Sequence, residues 1–188
     1  MKLYIKNMVC DRCILVVSNL LHEFKLQPVS VQLGEIELGD TKLSPDEIAL
    51  LSDSLAALGF ERINDKKSQL IESIKTLLIQ LVQHSDGEAR PKLSEYLSKS
   101  LHHDYHHLSH LFSGVEGITI EQYLINQKIE KTKELLVYDE QSLTEIAYRL
   151  GYSSVAHLSG QFKKVTGMSP SQFRQMRDTS QRRSLDKL

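Results

Sequence analysis

Apolar and polar positions alternate at the start of the chain, with Leu3 and Ile5 on one side, and the same period-two pattern returns at Val29, Val31 and Leu33. Between these two strand-like runs, residues 14–24 space their apolar positions as an amphipathic helix does. Gly34 breaks the phase and Ile36 and Leu38 begin another alternating run, which predicts either a tight hairpin or a bulge within one longer strand. Ser44, Pro45 and Glu47 have the spacing of a capping box with proline in the first helical position. They open a helix that runs to Leu58 and is stopped by Gly59, and residues 60–63 can form a last strand.

The C-terminal half has a different pattern, and it repeats. Leu93-Ser94-Glu95 matches Leu143-Thr144-Glu145, Leu108-Ser109 matches Leu158-Ser159, and Phe112 matches Phe162. Val115-Glu116-Gly117 matches Val165-Thr166-Gly167 and Gln122-Tyr123 matches Gln172-Phe173, always 50 residues apart by the numbering. An offset held without a gap predicts two copies of one unit. In the second copy, Ser142 and Glu145 form a capping box, Ile146, Ala147 and Leu150 follow at helical spacing, and Gly151 stops the helix. Tyr152-Ser153-Ser154 makes the turn, a serine caps the next helix, Leu158 and Phe162 anchor it in the core, and Gly167 ends it. That is helix, tight turn, helix. The first copy repeats it with Asp104 as N-cap, Leu108 and Phe112 as the buried pair and Gly117 as the stop. Thr119 with Gln122, and Ser169-Pro170 with Gln172, cap two further helices, the first spanning residues 120–137 and joining the copies. The expected fold class is α+β, with a small ferredoxin-like N-terminal domain in strand-helix-strand-strand-helix-strand order followed by an all-α domain with two helix-turn-helix units.

Length changes the picture little: 188 residues, 40% hydrophobic and 25% charged, suffice for two small cores. No apolar run approaches the roughly 20 residues of a membrane span. Residues 1–8 alternate like a strand and do not form a signal-peptide core, so a cytoplasmic protein without a membrane partner is expected. The two cysteines, Cys10 and Cys13, are too close to staple a fold. A net charge of -1 means that any nucleic-acid function must rest on local placement of charge. No catalytic triad, phosphate-binding glycine loop or paired carboxylates stand out, so no catalytic residues are assigned and an enzyme is not expected.

The run from Leu143 through Ala147, Leu150, Gly151 and Tyr152 to Phe162, Gly167, Ser169 and Pro170 resembles the signature of the AraC/XylS transcription regulators. With residues 69–84 as a preceding helix, the resemblance covers the last 110 or so residues. It implies seven helices, residues 120–137 as central spacer, double-stranded DNA as partner, and the second helix of each unit in the major groove. With Leu108 and Phe112 inward, His106, Ser109, His110 and Ser113 project from the opposite face of the first such helix, toward base edges or phosphates. By the repeat, Ala156, Ser159, Gly160 and Lys163 hold the equivalent places in the second. Many relatives carry a long polar or arginine side chain where Gly160 stands, so Ser153, Ser154, Lys163 and Lys164 are expected to contact phosphates and set register. Arg174, Arg177, Arg182 and Arg183 add phosphate attraction or belong to a charged terminus.

Five histidines fall between positions 102 and 110, and His106 with His110 has the spacing that can place two imidazoles on one metal ion, with DNA contact and plain surface histidine as the alternatives. Cys10 and Cys13, between the first strand and first helix and preceded by Met8, together with Leu58-Gly59-Phe60, resemble the heavy-metal-associated domain of copper chaperones. That resemblance implies a soft metal ion such as Cu(I) on the two thiolates, whose pKa a helix N-terminus would lower, with Met8 packed beneath the loop. A redox pair and a merely packed cysteine pair stay open. The expected layout is a sensor domain over residues 1–65, a polar joint at 64–69, a DNA-binding domain over 70–178 and a flexible basic tail at 179–188. A homodimer is compatible with it. The rival class is a metal carrier or thiol-redox protein whose helices are a protein-docking module.

Overall fold

The computed structural model describes residues 1–83, 92–138 and 141–176. The chain divides into two compact units, Met1–Thr76 and Leu77–Leu188.

The first unit runs β1 (Lys2–Lys6), α1 (Asp11–Glu23), β2 (Ser30–Gln32), β3 (Glu35–Glu37), α2 (Pro45–Ala57) and β4 (Glu61–Ile63), and ends in the first half of α3 (Lys66–Gln83). Its sheet has the order β2-β3-β1-β4 with every neighbouring pair antiparallel. The hairpin expected near Gly34 forms: Gln32 pairs with Glu35, so Leu33 and Gly34 alone make the turn. Gly34 is required there, with φ at +80° and a close neighbour, because a Cβ would stand 3.1 Å from the Thr76 hydroxyl oxygen. Alternation sends Leu3 and Ile5 of β1 into one core with Ile36 of β3, Val17, Leu20 and Leu21 of α1, and Leu51 and Leu55 of α2. Ser44 caps α2 with the full reciprocal capping box and Pro45 at its first turn, as the spacing predicts.

The expected polar joint at residues 64–69 is a helix start instead. The Asp65 carboxylate accepts the Ser68 amide at 2.8 Å and its carbonyl accepts the Gln69 amide at 3.1 Å, so a polar run that reads as a linker is spent on the first turn of α3. These hydrogen bonds from Ser68 hold the Asp65 carboxyl below its ordinary value.

The second unit takes up α3 and continues with α4 (Leu93–Leu101), α5 (Tyr105–Glu116), α6 (Ile120–Tyr138), α7 (Leu143–Arg149), α8 (Val155–Thr166) and α9 (Pro170–Met176). The repeat is structural: α5 and α8 have the same length at an offset of 50, and α6 and α9 begin at the same offset. Leu108 and Leu158, Phe112 and Phe162, and Tyr123 and Phe173 are all buried. Phe112 meets Tyr123 edge-on at 5.5 Å, and Phe162 meets Phe173 edge-on at 5.6 Å. The capping boxes at Ser142–Glu145 and Ser169–Gln172 are both closed. At Thr119 only half is made, since Gln122 gives its amide to the threonine hydroxyl and turns its side chain to Asn126. The expected tail at residues 179–188, with Arg177, Arg182 and Arg183, and the end of the helix expected to reach residue 84 lie outside the described residues.

Candidate nucleic-acid interface and thiol pair

Each helix-turn-helix is built from its caps. The Asp104 carboxylate accepts the amides of His106 and His107 at 2.8 and 3.3 Å and starts α5, which ends at Gly117 with φ +71°. Ser154 accepts the His157 amide at 3.1 Å and starts α8, which ends at Gly167 with φ +82°. With Leu108 and Phe112 buried at i, i+4 spacing, the opposite face of α5 presents His106 and His110 exposed and Ser109 and Ser113 half-buried. The same face of α8 presents Ala156, Gly160, Lys163 and Lys164 exposed and Ser159 half-buried. The residues of α5 and α8 expected to face DNA lie away from the buried side of their helices, and Ser153 and Ser154 are exposed in the turn before α8; Arg174 of α9, expected to attract phosphate, instead donates to the Gln141 carbonyl at 2.6 Å.

Three of the serines already serve the fold. Ser113 donates its hydroxyl to the Ser109 carbonyl at 2.7 Å, Ser154 is the α8 cap, and the Ser153 hydroxyl lies 3.2 Å from His157 Nδ1. Tyr152 packs edge-on against His157 at 5.4 Å, with the Lys128 ammonium of α6 5.0 Å above its ring, which fixes the α7–α8 turn onto the spacer. In the first helix-turn-helix Tyr105, at the head of α5, donates to the Glu121 carboxylate on α6. Burial and this carboxylate push the phenol well above its ordinary range. Burial raises the Glu121 carboxyl, but hydrogen bonds from Tyr105, its own amide and Thr119 outweigh that and leave it lowered. The spacer itself buries Gln127, Thr132 and a Lys133–Glu130 ion pair at 2.6 Å, the two side chains only 9% and 5% exposed. A helix with buried positions all round fits its place between the two copies.

The sequence pairs His106 with His110, but the ring contact observed is between His103 and His107, with centroids 5.6 Å apart and planes tilted by 34°. The two pairs have the same spacing, and only the turn geometry before Asp104 distinguishes them.

In the first unit the Cys10 and Cys13 sulfurs are 3.6 Å apart, Cys10 standing at the N-cap of α1 and Cys13 in its first turn. Met8 lies in the core beneath them, as expected. The expected lowering of the thiol pKa does not hold for Cys13. Burial pushes it up, hydrogen bonds with the backbone of Val9 and Cys10 pull partly back, and the Cys10 side chain adds to the rise. Among the described residues no group of three or more His, Cys, Asp or Glu side chains could hold a metal ion, and no helix is long and apolar enough to cross a membrane.

A protein-family model described as a helix-turn-helix domain matches residues 97–176. These residues form a helix-turn-helix domain. The chain is 28% identical over 97 residues to the bifunctional transcriptional activator/DNA repair enzyme AdaA of Bacillus subtilis, covering 51% of this chain and 46% of that protein. It is 31% identical over 112 residues to the uncharacterized HTH-type transcriptional regulator YfiF of the same organism, covering 59% of this chain and 35% of that one. The chain thus spans less than half the length of these curated relatives. Among solved structures, the C-terminal domain of AraT, a response regulator from Geobacillus stearothermophilus, is similar at TM-score 0.50 and 27% identity, covering 60% of this chain and 88% of that one. The matched region contains α5 to α9 and the end of α4, so it takes in both outward helices, while Cys10 and Cys13 lie before it.

Proposed function

We propose that this protein is a sequence-specific regulator of transcription that binds double-stranded DNA in the cytoplasm through its AraC-type domain. The observation that carries the reading is that one helix-turn-helix geometry recurs at a fixed offset of 50 residues, with α5 and α8 capped and buried alike and their outer faces free. A second helix presented this way is the element that enters a major groove. In this reading His106, Ser109 and His110 of α5 read bases. The outer face of α8 has no long side chain until Lys163, so Ser159, Lys163 and Lys164, with Ser153 and Ser154 at its N-terminal end, hold phosphates and set register.

The sheet unit is ferredoxin-like in this reading, supported by its strand order and antiparallel pairs, and Cys10 and Cys13 are its responsive element. The two sulfurs, 3.6 Å apart, can both reach one soft ion such as Cu(I) once the pair opens toward the wider angle that two-coordinate Cu(I) takes, or can be joined as a disulfide by a two-electron oxidant such as a peroxide. Loading an ion displaces the proton that burial holds on Cys13, and a change of DNA affinity on loading would be a coupling free energy between the two units.

Fluorescence anisotropy of the full chain with DNA from its own upstream region, at two salt concentrations, tests this reading, using reduced metal-free protein and protein given Cu(I). Specific binding that weakens with salt supports the regulator, and a shift with Cu(I) supports the thiol element. Specific binding indifferent to Cu(I) and to Cys10→Ser removes the thiol element alone. Absence of specific binding in every state overturns the regulator and favours a metal carrier with a docking module.

A further inference from the structure

Five of the chain's eight histidines lie within the nine residues from 102 to 110, and all five are exposed. Neither the core nor the caps need these imidazoles: Asp104 engages the amides of His106 and His107, and His102 ends α4 through its backbone at φ +56°. We propose that His103 and His107 form a surface site for a divalent transition-metal ion, on the turn before α5 and the first turn of α5.

The ring contact carries this. With these two exposed rings turned so that one nitrogen of each faces a shared point, an ion bound at about 2.1 Å from each nitrogen stands roughly 3.2 Å from each ring centroid, and the observed 5.6 Å separation then corresponds to an angle at the metal of about 120°. A shift of about 0.4 Å between the two exposed rings brings that angle to the tetrahedral value. The backbone that carries the pair is held by the left-handed turn at His102 and by the Asp104 cap, so the ligands are brought together before an ion arrives. With no third His, Cys, Asp or Glu side chain joining them among the described residues, the remaining positions fall to water. A near-tetrahedral pair of imidazoles with open positions suits Zn²⁺ or Co²⁺, whereas the thiols of Cys10 and Cys13 suit a softer ion, so the two sites select different metals. An ion here adds positive charge at the head of α5. The consequence for DNA affinity rests on the regulator reading, but binding of the metal does not, and it is measured without DNA.

The experiment is equilibrium dialysis of the full chain, carrying Cys10→Ser and Cys13→Ser to remove the thiols, against Co²⁺, a paramagnetic ion that accepts tetrahedral coordination. Imidazole NMR signals are followed in parallel as the ion is added in substoichiometric amounts. One ion per chain is expected, with His103 and His107 broadened first. Affinity should fall roughly tenfold or more in either His103→Gln or His107→Gln, since loss of even an outer partner of a metal ligand costs at least that. Helicity in the far ultraviolet should be unchanged in both, because the two side chains are exposed. Unchanged affinity in both variants overturns the site. So does loss of binding in His106→Gln or His110→Gln alone, or equal broadening of all five histidines from the first addition.

Discussion

Replacing glycine by alanine within the repeat should shift stability in two opposite directions. Gly114 in α5 and Gly160 in α8 are helical, and a Cβ built on either meets nothing within 4 Å. Alanine there gains about 0.5–1 kcal/mol by reducing the backbone freedom lost on folding. Gly117 and Gly167 end the same two helices with φ +71° and +82°, again with nothing near the added Cβ. The penalty at these caps is therefore conformational alone, about 1–2 kcal/mol for a left-handed alanine. Gly160→Ala and Gly167→Ala, seven residues apart on one helix and its cap, should differ by about 1.5–3 kcal/mol. At about 4–8 °C per kcal/mol for a domain of this size, their unfolding midpoints should be some 10 °C apart, one above and one below the parent. Thermal unfolding followed by circular dichroism at the helical minimum reads this directly. A Gly160→Ala midpoint below the parent would refute the open helical setting of that residue, and a neutral Gly167→Ala would refute the left-handed cap.

Glu130→Ala removes the carboxylate 2.6 Å from the buried Lys133 ammonium and should cost about 1.5–3 kcal/mol, the worth of a hydrogen bond between charged groups, read as a shift of the urea midpoint; a loss below about 0.5 kcal/mol would mean that the pair contributes nothing to the fold. Ser142→Ala opens a closed capping box at the head of α7 and should cost about 1 kcal/mol in the same assay, with no change in the amplitude of the transition. Because burial raises the Cys13 thiol, the reactive thiolate is scarce at neutral pH. Alkylation of Cys13 in a Cys10→Ser background should run slower than that of free cysteine and climb as pH rises through the elevated value; a rate already level at neutral pH would contradict that burial.

What could be read from the chain was mostly local. Ser44, Asp104, Ser142 and Ser154 cap helices because their oxygens meet amides two or three residues on, a rule that needs only short spacing. The 50-residue offset lets Leu108 and Phe112 vouch for Leu158 and Phe162, so the burial of both pairs, and with it the outer faces of α5 and α8, was legible before any coordinates. What escaped was set by geometry. The polar run at residues 64–69 looks like a linker until the Asp65 carboxylate is seen to cap α3. A proximity to a helix start suggests a lowered thiol pKa, but only the packing around Cys13 shows that burial wins. His103–His107 and His106–His110 are indistinguishable by spacing, and the turn at His102 decides which rings meet. Nothing in the spacing singles out Glu130 and Lys133, which are buried because α6 is enclosed.

The central claim, that α5 reads bases while α8 holds phosphates, is tested most directly by selecting sites for the full chain from a random DNA pool. Its affinity for the winning site and for scrambled DNA is then measured across salt for the parent, for His106→Ala with His110→Ala, and for Lys163→Ala with Lys164→Ala. The account predicts that the histidine variant loses discrimination between the two DNAs. The lysine variant should weaken on both alike, with a salt slope shallower by about one to two. Failure of the pool to enrich any site, or discrimination that survives loss of both histidines and collapses with the lysines, would contradict it.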